Sequence, residues 1–329
     1  MINAAIIGLG RWGRRLVTSV QGPDSDPSGS IRFTAAATGR PERARDFADR
    51  HGLALYPDLT ALLASADVEA VVIASPHSLH AAHVREALEA GKDVFVEKPL
   101  ALELRAAQEL VELADARRRT LVVGFNRRLL QAYRFVADAV HEGRIGTPLH
   151  VEGNFSGPFG LGYAKEAWHA NPAETPAGGL TLMAVHVIDA FIGLLGPVER
   201  VATRSRRQVL TVDIDDTTDL ALDFVSGRTG YVSTLTATPS CWRLQIFGTR
   251  GWLQMNDQWT VTSSTEEGVD THTFARGDLE RSELEAFAEA VTSGDRARLA
   301  PLPEVLNGIG VLEAAVRSLD AGGAPSPVE

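Results

Sequence analysis

Three stretches of this chain set reactive or phosphate-binding residue types at spacings that chemistry uses. The first is GLGRWG, with Gly8, Gly10 and Gly13 around Arg11 and Trp12. An apolar run leads into it and RWGRRLVTSVQ follows, so the glycines fall on a strand-to-helix turn. There Gly8 permits the tight turn, Gly10 the close approach of a pyrophosphate, and Gly13 the contact of helix with strand. The helix start offers free N–H donors to the phosphates. The second stretch is VFVEKPLAL, residues 94–102, where an apolar strand signal stops at Glu97, Lys98 and Pro99. Ligands of open parallel sheets bind beyond the carboxyl ends of the strands, which is where an amine that moves protons is useful. On these residues alone Lys98 is equally a surface lysine beside Glu97. The third stretch is HSLHAAH, with His77, His80 and His83 three apart. Steps of three drift around a helix and no carboxylate completes a cluster, so no metal is expected.

The second strand signal, IRFTAAATG, decides between two dinucleotides. An acid at its tip bonds the ribose 2′-OH of NAD; here the tip holds Thr38, Gly39 and Arg40. Thr38, Arg40 and Arg43 suit a 2′-phosphate instead, so NADP(H) is expected over NAD(H). Residues 22–30, GPDSDPSGS, lengthen the gap from the glycine turn and read as a surface insertion.

Such residues need a frame of alternating strands and helices, and the first 124 residues supply one. Continuous apolar strands between helical patterns argue for a parallel sheet covered on both faces. After Pro148 the pattern changes to alternating runs, LHVEGNFS, TTDLALDFV, TGYVSTLTA, RLQIFGT, GWLQMN and TVTSS. GRTG at 227–230 is a hairpin signal, and two helices close the chain. The expected fold is α/β followed by α+β. A doubly wound parallel Rossmann sheet spans 1–124, and an open, mostly antiparallel sheet domain spans 125–329. The closing helix, 303–321, is a candidate to pack back on the first domain.

Bulk properties narrow the function. The 329 residues carry 42 acids against 32 bases, a net charge of −10, which opposes a broad nucleic-acid face. One cysteine, Cys241, excludes an intrachain disulfide framework and a cysteine zinc cluster. No apolar run reaches a membrane span, and MINAAIIGLG lacks the features of an export signal, so a cytoplasmic protein is expected.

The string IASPHSLHAAHVREALEAGKDVFVEKPLAL resembles the core of the Gfo/Idh/MocA oxidoreductases, named for glucose–fructose oxidoreductase and inositol dehydrogenase. VGFNRR at 123–128, AGGLTLMAVHVIDAFIGLLGPV at 177–198 and GIGVLEAAVRSLDAG extend the resemblance over nearly the whole chain. It implies a Rossmann domain and an open-sheet domain with the active site between them. It implies that Lys98 is the catalytic lysine, that His186 exchanges a proton with the substrate hydroxyl, and that Asp189 is the downstream aspartate. His186 and Asp189, three apart, share one helix face. By the same resemblance Asn126 lies beside the nicotinamide and Ser75, Pro76 and His80 form the segment under the cofactor, while Arg127 and Trp168 line the substrate pocket. Two positions depart from the pattern: Leu182 stands where many members have an aspartate, and Ala184 where they have glycine. The implied activity is hydride transfer between a nicotinamide and a carbinol or carbonyl carbon of a sugar, sugar acid, cyclitol or related small molecule. A cofactor-binding sensor without turnover, or a lyase or glycosidase that recycles its cofactor, are the alternatives. Family members pair their open sheets, so a homodimer or homotetramer is expected.

Overall fold

The computed structural model describes residues 1–22 and 26–329. Part of the expected 22–30 insertion, residues 23–25, lies outside the described residues. The chain divides into two compact units, Met1–Asn126 with Gly277–Leu302, and Arg127–Arg276 with Pro303–Glu329.

The first unit alternates β1 (Ile2–Ile7), α1 (Arg11–Val20), β2 (Ile31–Ala37), α2 (Pro41–His51), β3 (Ala54–Tyr56), α3 (Leu59–Leu63), β4 (Ala70–Ile73), α4 (His77–Glu89), β5 (Asp93–Glu97), α5 (Leu104–Arg117) and β6 (Leu121–Gly124). Among the described residues its sheet has the order β3-β2-β1-β4-β5-β6, with every pairing parallel. This is the doubly wound order, and its switch point lies between β1 and β4. The β-branched run of β4, Ala70-Val71-Val72-Ile73, is wholly buried, as a strand covered on both faces must be. The three-residue edge strand β3 has too short a pattern for the sequence to announce.

The second unit starts with a 3-10 turn at Asn126–Leu129 and α6 (Gln131–His141). It continues with β7 (Pro148–Ser156), α7 (Val185–Leu195), β8 (Val198–Arg206), β9 (Thr217–Phe224), β10 (Thr229–Leu235), β11 (Cys241–Gly248), β12 (Gly251–Met255), β13 (Thr260–Thr265) and β14 (Gly268–Thr273). After α8 (Leu279–Ser293), which belongs to the first unit, come α9 (Leu302–Asp320) and β15 (Ser326–Pro327). The sheet order is β14-β13-β12-β11-β7-β10-β9-β8-β15. Among the described residues of this sheet only β7 and β10 pair in parallel; the hairpin at 227–230 joins antiparallel β9 and β10. On β10 Val232 and Thr234 are buried while Tyr231 is 37% exposed, so the alternation separates a packed face from an outward one.

The domain assignment needs one correction. The penultimate helix, α8, joins the first unit, and the closing helix stays in the second. The cause is packing: α8 buries Leu284, Phe287 and Ala288 in a core with Leu16, Phe33 and Phe95, and the Phe95 and Phe287 rings lie 5.8 Å apart.

Candidate active site

In the first unit the glycine turn leaves β1 at the switch point. Gly8 has φ +98° and donates its N–H to Ala37 O at 2.9 Å. A Cβ on Gly8 would lie 2.6 Å from Ala74 O, and one on Gly13 would overlap Gly8 O. Gly10 differs: it caps α1 with no side-chain hydrogen bond, and the space where its Cβ would stand is open. An uncapped helix start beneath an open backbone fits the pyrophosphate of a dinucleotide. Arg11 is exposed at the rim. Trp12 Nε1 donates to Glu97 Oε1 at 2.6 Å, tying the glycine turn to the end of β5.

Glu97 is buried, and burial pushes its carboxyl up to about 7 against the Trp12 hydrogen bond and the neighbouring Lys98 charge. Lys98 is half-buried at the carboxyl end of β5, followed by a cis bond to Pro99. Ser75 and Pro76 are half-buried between β4 and α4, and Ser75 Oγ lies 3.0 Å from His83 Nδ1.

His80 requires a correction. Its ring is fully buried, with Nδ1 2.7 Å from Pro99 O and Nε2 2.9 Å from Ser75 O. A ring with no exposed surface does not touch a bound cofactor. His80 instead clamps the two backbone segments that carry Ser75 and Lys98. Burial pushes its pKa down to about 4; the two carbonyls resist, and Lys98 and His83 add to the lowering.

Asn126, buried, places Nδ2 3.5 Å from Glu280 Oε1. Glu280 and Asp278, at the start of α8, both pair with Arg15. Sequence reasoning missed Glu280, because the contact spans 154 residues and DLERSE reads only as a capped helix start. Thr38 follows β2, Arg40 precedes α2 and Arg43 lies in its first turn. Both arginines are exposed and neither is in an ion pair among the described residues.

In the second unit His186 sits at the start of α7, directly after a π-helical turn at Leu180–Ala184 that includes Leu182 and Ala184. The helix VHVIDAFIGLL is apolar nearly all round and correspondingly buried, so it is a rigid support. His186 is 6% exposed, and its ring centroid lies 6.0 Å from that of Phe155. The Arg127 guanidinium stands over Phe155 at 5.5 Å and over Trp242 at 5.8 Å, a cation held on two aromatic faces. Phe155 and Trp242 meet edge to face at 5.1 Å. Neither ring was singled out from sequence: they lie on separate strands, β7 and β11, which only the sheet brings together.

Asp189 is buried and accepts two hydrogen bonds from Arg128, each 2.8 Å, and Arg128 also reaches Glu304 at 2.7 Å. Burial pushes the Asp189 carboxyl up and Arg128 opposes it, while the two acids hold the guanidinium firmly charged. Trp168 lies in a 3-10 turn and stacks on His169 at 3.7 Å, and His169 stacks on Tyr163 at 5.2 Å.

Among the described residues no group of His, Cys, Asp and Glu is arranged to hold a metal ion, and no helix is long and apolar enough to cross a membrane.

Comparison with known proteins adds to this geometry. Residues 2–125 match the family model described as "Oxidoreductase family, NAD-binding Rossmann fold", and residues 133–254 match the "GFO/IDH/MocA C-terminal domain". Inositol 2-dehydrogenase 3 of Saccharopolyspora erythraea is 35% identical over 199 residues, which are 59% of this chain and 54% of the relative, so the chain matches about half the length of that protein. Inositol 2-dehydrogenase of Rhizobium meliloti is 26% identical over 97% of both chains. A crystal structure from Desulfitobacterium hafniense, named for an NADPH-dependent oxidoreductase, superposes with a TM-score of 0.88 at 26% identity, covering 99% of this chain and 97% of that one. The two matched models together cover most of the chain, and it belongs to the Gfo/Idh/MocA family of oxidoreductases.

Proposed function

We propose that this chain is a dehydrogenase that uses NADP(H) and acts on a CH–OH carbon of a sugar, sugar acid, cyclitol or related small molecule. The observation that carries it is the open, uncapped glycine turn at the β1/β4 switch point, hydrogen-bonded through Trp12 to the strand end that presents Lys98. When bound, a nicotinamide supplies the hydride acceptor or donor. Gly8, Gly10 and Gly13 hold the pyrophosphate. Lys98 moves the proton at the substrate oxygen, and His186 relays it. Asp189, engaged on both oxygens by Arg128, fixes the helix rather than exchanging protons. Arg127 and Trp168 contact the substrate, and Asn126 the nicotinamide.

The NADP preference is supported by Thr38 in place of an acid, by exposed Arg40 and Arg43, and by the name of the Desulfitobacterium structure. The outward face of β10, with Tyr231, Ser233 and Leu235, is assigned to a second copy of the chain, giving a homodimer or homotetramer. A single cysteine, exposed Cys241, accords with a cytoplasmic protein.

Absorbance of reduced nicotinamide, read with NADP or NAD against sugars, sugar acids and cyclitols, tests the activity. Replacing Lys98 by Met is expected to lower kcat about 10²- to 10⁴-fold with cofactor affinity retained. Normal turnover by that variant would refute the mechanism. Arg40→Ala is expected to weaken NADP and spare NAD; equal weakening of both would remove the 2′-phosphate assignment. Bound cofactor without turnover across the panel would move the assignment to a sensor.

A further inference from the structure

His186 is carried on an irregular piece of backbone. Ala177 has φ +54° and Gly178 φ +56°, and the π turn at Leu180–Ala184 follows at once. Left-handed backbone at an alanine is unfavourable, so something outside the segment must hold it. The holding contacts come from β9 and the loop that precedes it. Thr218 Oγ1, on β9, donates to Ala177 O at 2.9 Å. Gly178 packs so closely on Asp215 that a Cβ there would overlap the Asp215 carbonyl oxygen. Thr181 Oγ1 donates to Pro176 O at 2.9 Å and locks the entry to the π turn.

Asp215 and Asp216 close the loop that joins β8 to β9, and Asp216 shapes that loop. Asp216 is 2% exposed. Its Oδ2 accepts three backbone N–H groups, from Gln208 at 2.8 Å, Val209 at 2.7 Å and Leu210 at 3.1 Å, and its Oδ1 accepts Thr217 Oγ1 at 3.0 Å. The curled loop turns Leu210, Val212 and Ile214 inward, where they form a small core with Ala170, flanked by Tyr163 and Ala237. Ala170 ends the 3-10 turn that begins at Trp168. One carboxylate thus shapes the loop that backs both the aromatic stack and the joint ahead of His186.

We propose that Asp216 is a positioning residue for His186, acting through the 207–216 loop and the left-handed joint at Ala177 and Gly178. The proposal rests on the role given to His186 above. Asp216 touches neither substrate nor cofactor. It fixes the direction in which α7 begins, and with it the direction of the imidazole. The low pKa of Asp216 agrees: burial raises it, but the three backbone donors and Thr217 outweigh burial and hold the carboxyl below its usual range.

Histidine NMR tests this without turnover, with the His186 signal assigned by its loss in His186→Gln. In Asp216→Ala the His186 resonance and its titration midpoint should shift. With an active substrate, kcat should fall roughly 10- to 100-fold, as expected for misplacement by about 1 Å, with cofactor affinity unchanged. Asp216→Asn keeps an oxygen for the three N–H groups and should restore most of the loss. Gly178→Ala, which breaks the same contact from its other side, should repeat the shift, and it decides the question should Asp216→Ala fail to fold. An unmoved His186 signal in a folded Asp216→Ala or Gly178→Ala protein overturns the proposal. If no substrate is turned over by the parent protein, the dehydrogenase assignment fails while the NMR shift still decides this one.

Discussion

Each unit holds its proposed catalytic side chain with a buried titratable group that gathers backbone, but the two groups are chemical opposites. In the first, His80 faces two carbonyl oxygens, those of Ser75 and Pro99. In the second, Asp216 faces three N–H donors. A carboxylate among donors is satisfied in its charged form. An imidazole between two acceptors is fully satisfied only when protonated, and burial opposes that state. The second clamp is therefore at ease near neutral pH, and the first holds together two segments with one donated hydrogen bond where the geometry has room for two.

The largest effect that separates them is removal of His80. His80→Ala empties a fully buried site and leaves carbonyl oxygens of Ser75 and Pro99 without their partner. The expected loss is roughly 2–5 kcal/mol in urea unfolding. Its pH dependence has a definite sign. The folded pKa of about 4 lies below the ordinary 6.5, so the stability His80 confers is present above pH 6.5 and is lost as pH falls toward 4. The gap between parent and His80→Ala should narrow over that window. The difference between the two proteins is the quantity to follow, because Glu97, raised to about 7, gives the parent and the variant the opposite trend. A gap that stays constant from pH 7 to 4 would show that His80 is not neutral in the folded state. Asp216 behaves differently: its folded pKa is depressed, so its contribution persists across this whole window and is lost only below the ordinary carboxylate range.

A smaller effect sharpens the contrast between the two tight turns. Gly13 leaves no room for a side chain, because a Cβ would overlap Gly8 O in the same turn. Gly13→Ala should cost about 1–3 kcal/mol by overpacking and raise the Kd of NADP, measured by titration of tryptophan fluorescence. Unchanged affinity would mean that the turn does not form the pyrophosphate site.

The two units also differ in how far their sequence announces them. GLGRWG carries its own context within a dozen residues, and the contacts that fix Gly8 and Gly13 lie on β1, α1 or the ends of β2 and β4. Buried parallel strands such as Val94-Phe95-Val96 are equally plain, because continuous apolar runs have one reading in an alternating chain. In the second unit β7 and β9–β13 showed alternation, but β14 did not: Gly268–Thr273 is almost entirely exposed, so no hydrophobic period marks it. β8 was hidden by charge, with four arginines and glutamates among nine residues of VERVATRSR. His186 and Asp189 are named as site residues by the family resemblance alone. Arg128 as the partner of Asp189, Phe155 and Trp242 beneath Arg127, and Asp215 against Gly178 were not legible, since each meets its partner across 28 residues or more. Glu280 beside Asn126 was missed for the same reason, and α8 was assigned to the wrong unit because its apolar face looks like that of any amphipathic helix.

The smallest effect is the most informative about the second unit. Ala177 sits at φ +54°, where a Cβ costs about 1–2 kcal/mol and glycine costs nothing sterically. Glycine also adds about 0.4–1 kcal/mol of unfolded-state entropy, so Ala177→Gly should change stability by about 0–1.6 kcal/mol, in the stabilising direction. Its value lies in combination. If the Asp216 loop holds the joint, Ala177 keeps its positive φ only while the brace is intact. In an Asp216→Ala background alanine relaxes toward negative φ and His186 turns away, whereas glycine tolerates the left-handed conformation unaided. Ala177→Gly should therefore recover part of the activity lost in Asp216→Ala while having little effect in the parent, a coupling that a double-mutant cycle reads directly. Strict additivity of the two substitutions would mean that residue 177 and the 207–216 loop act separately, and that the joint ahead of His186 is set by the π turn alone.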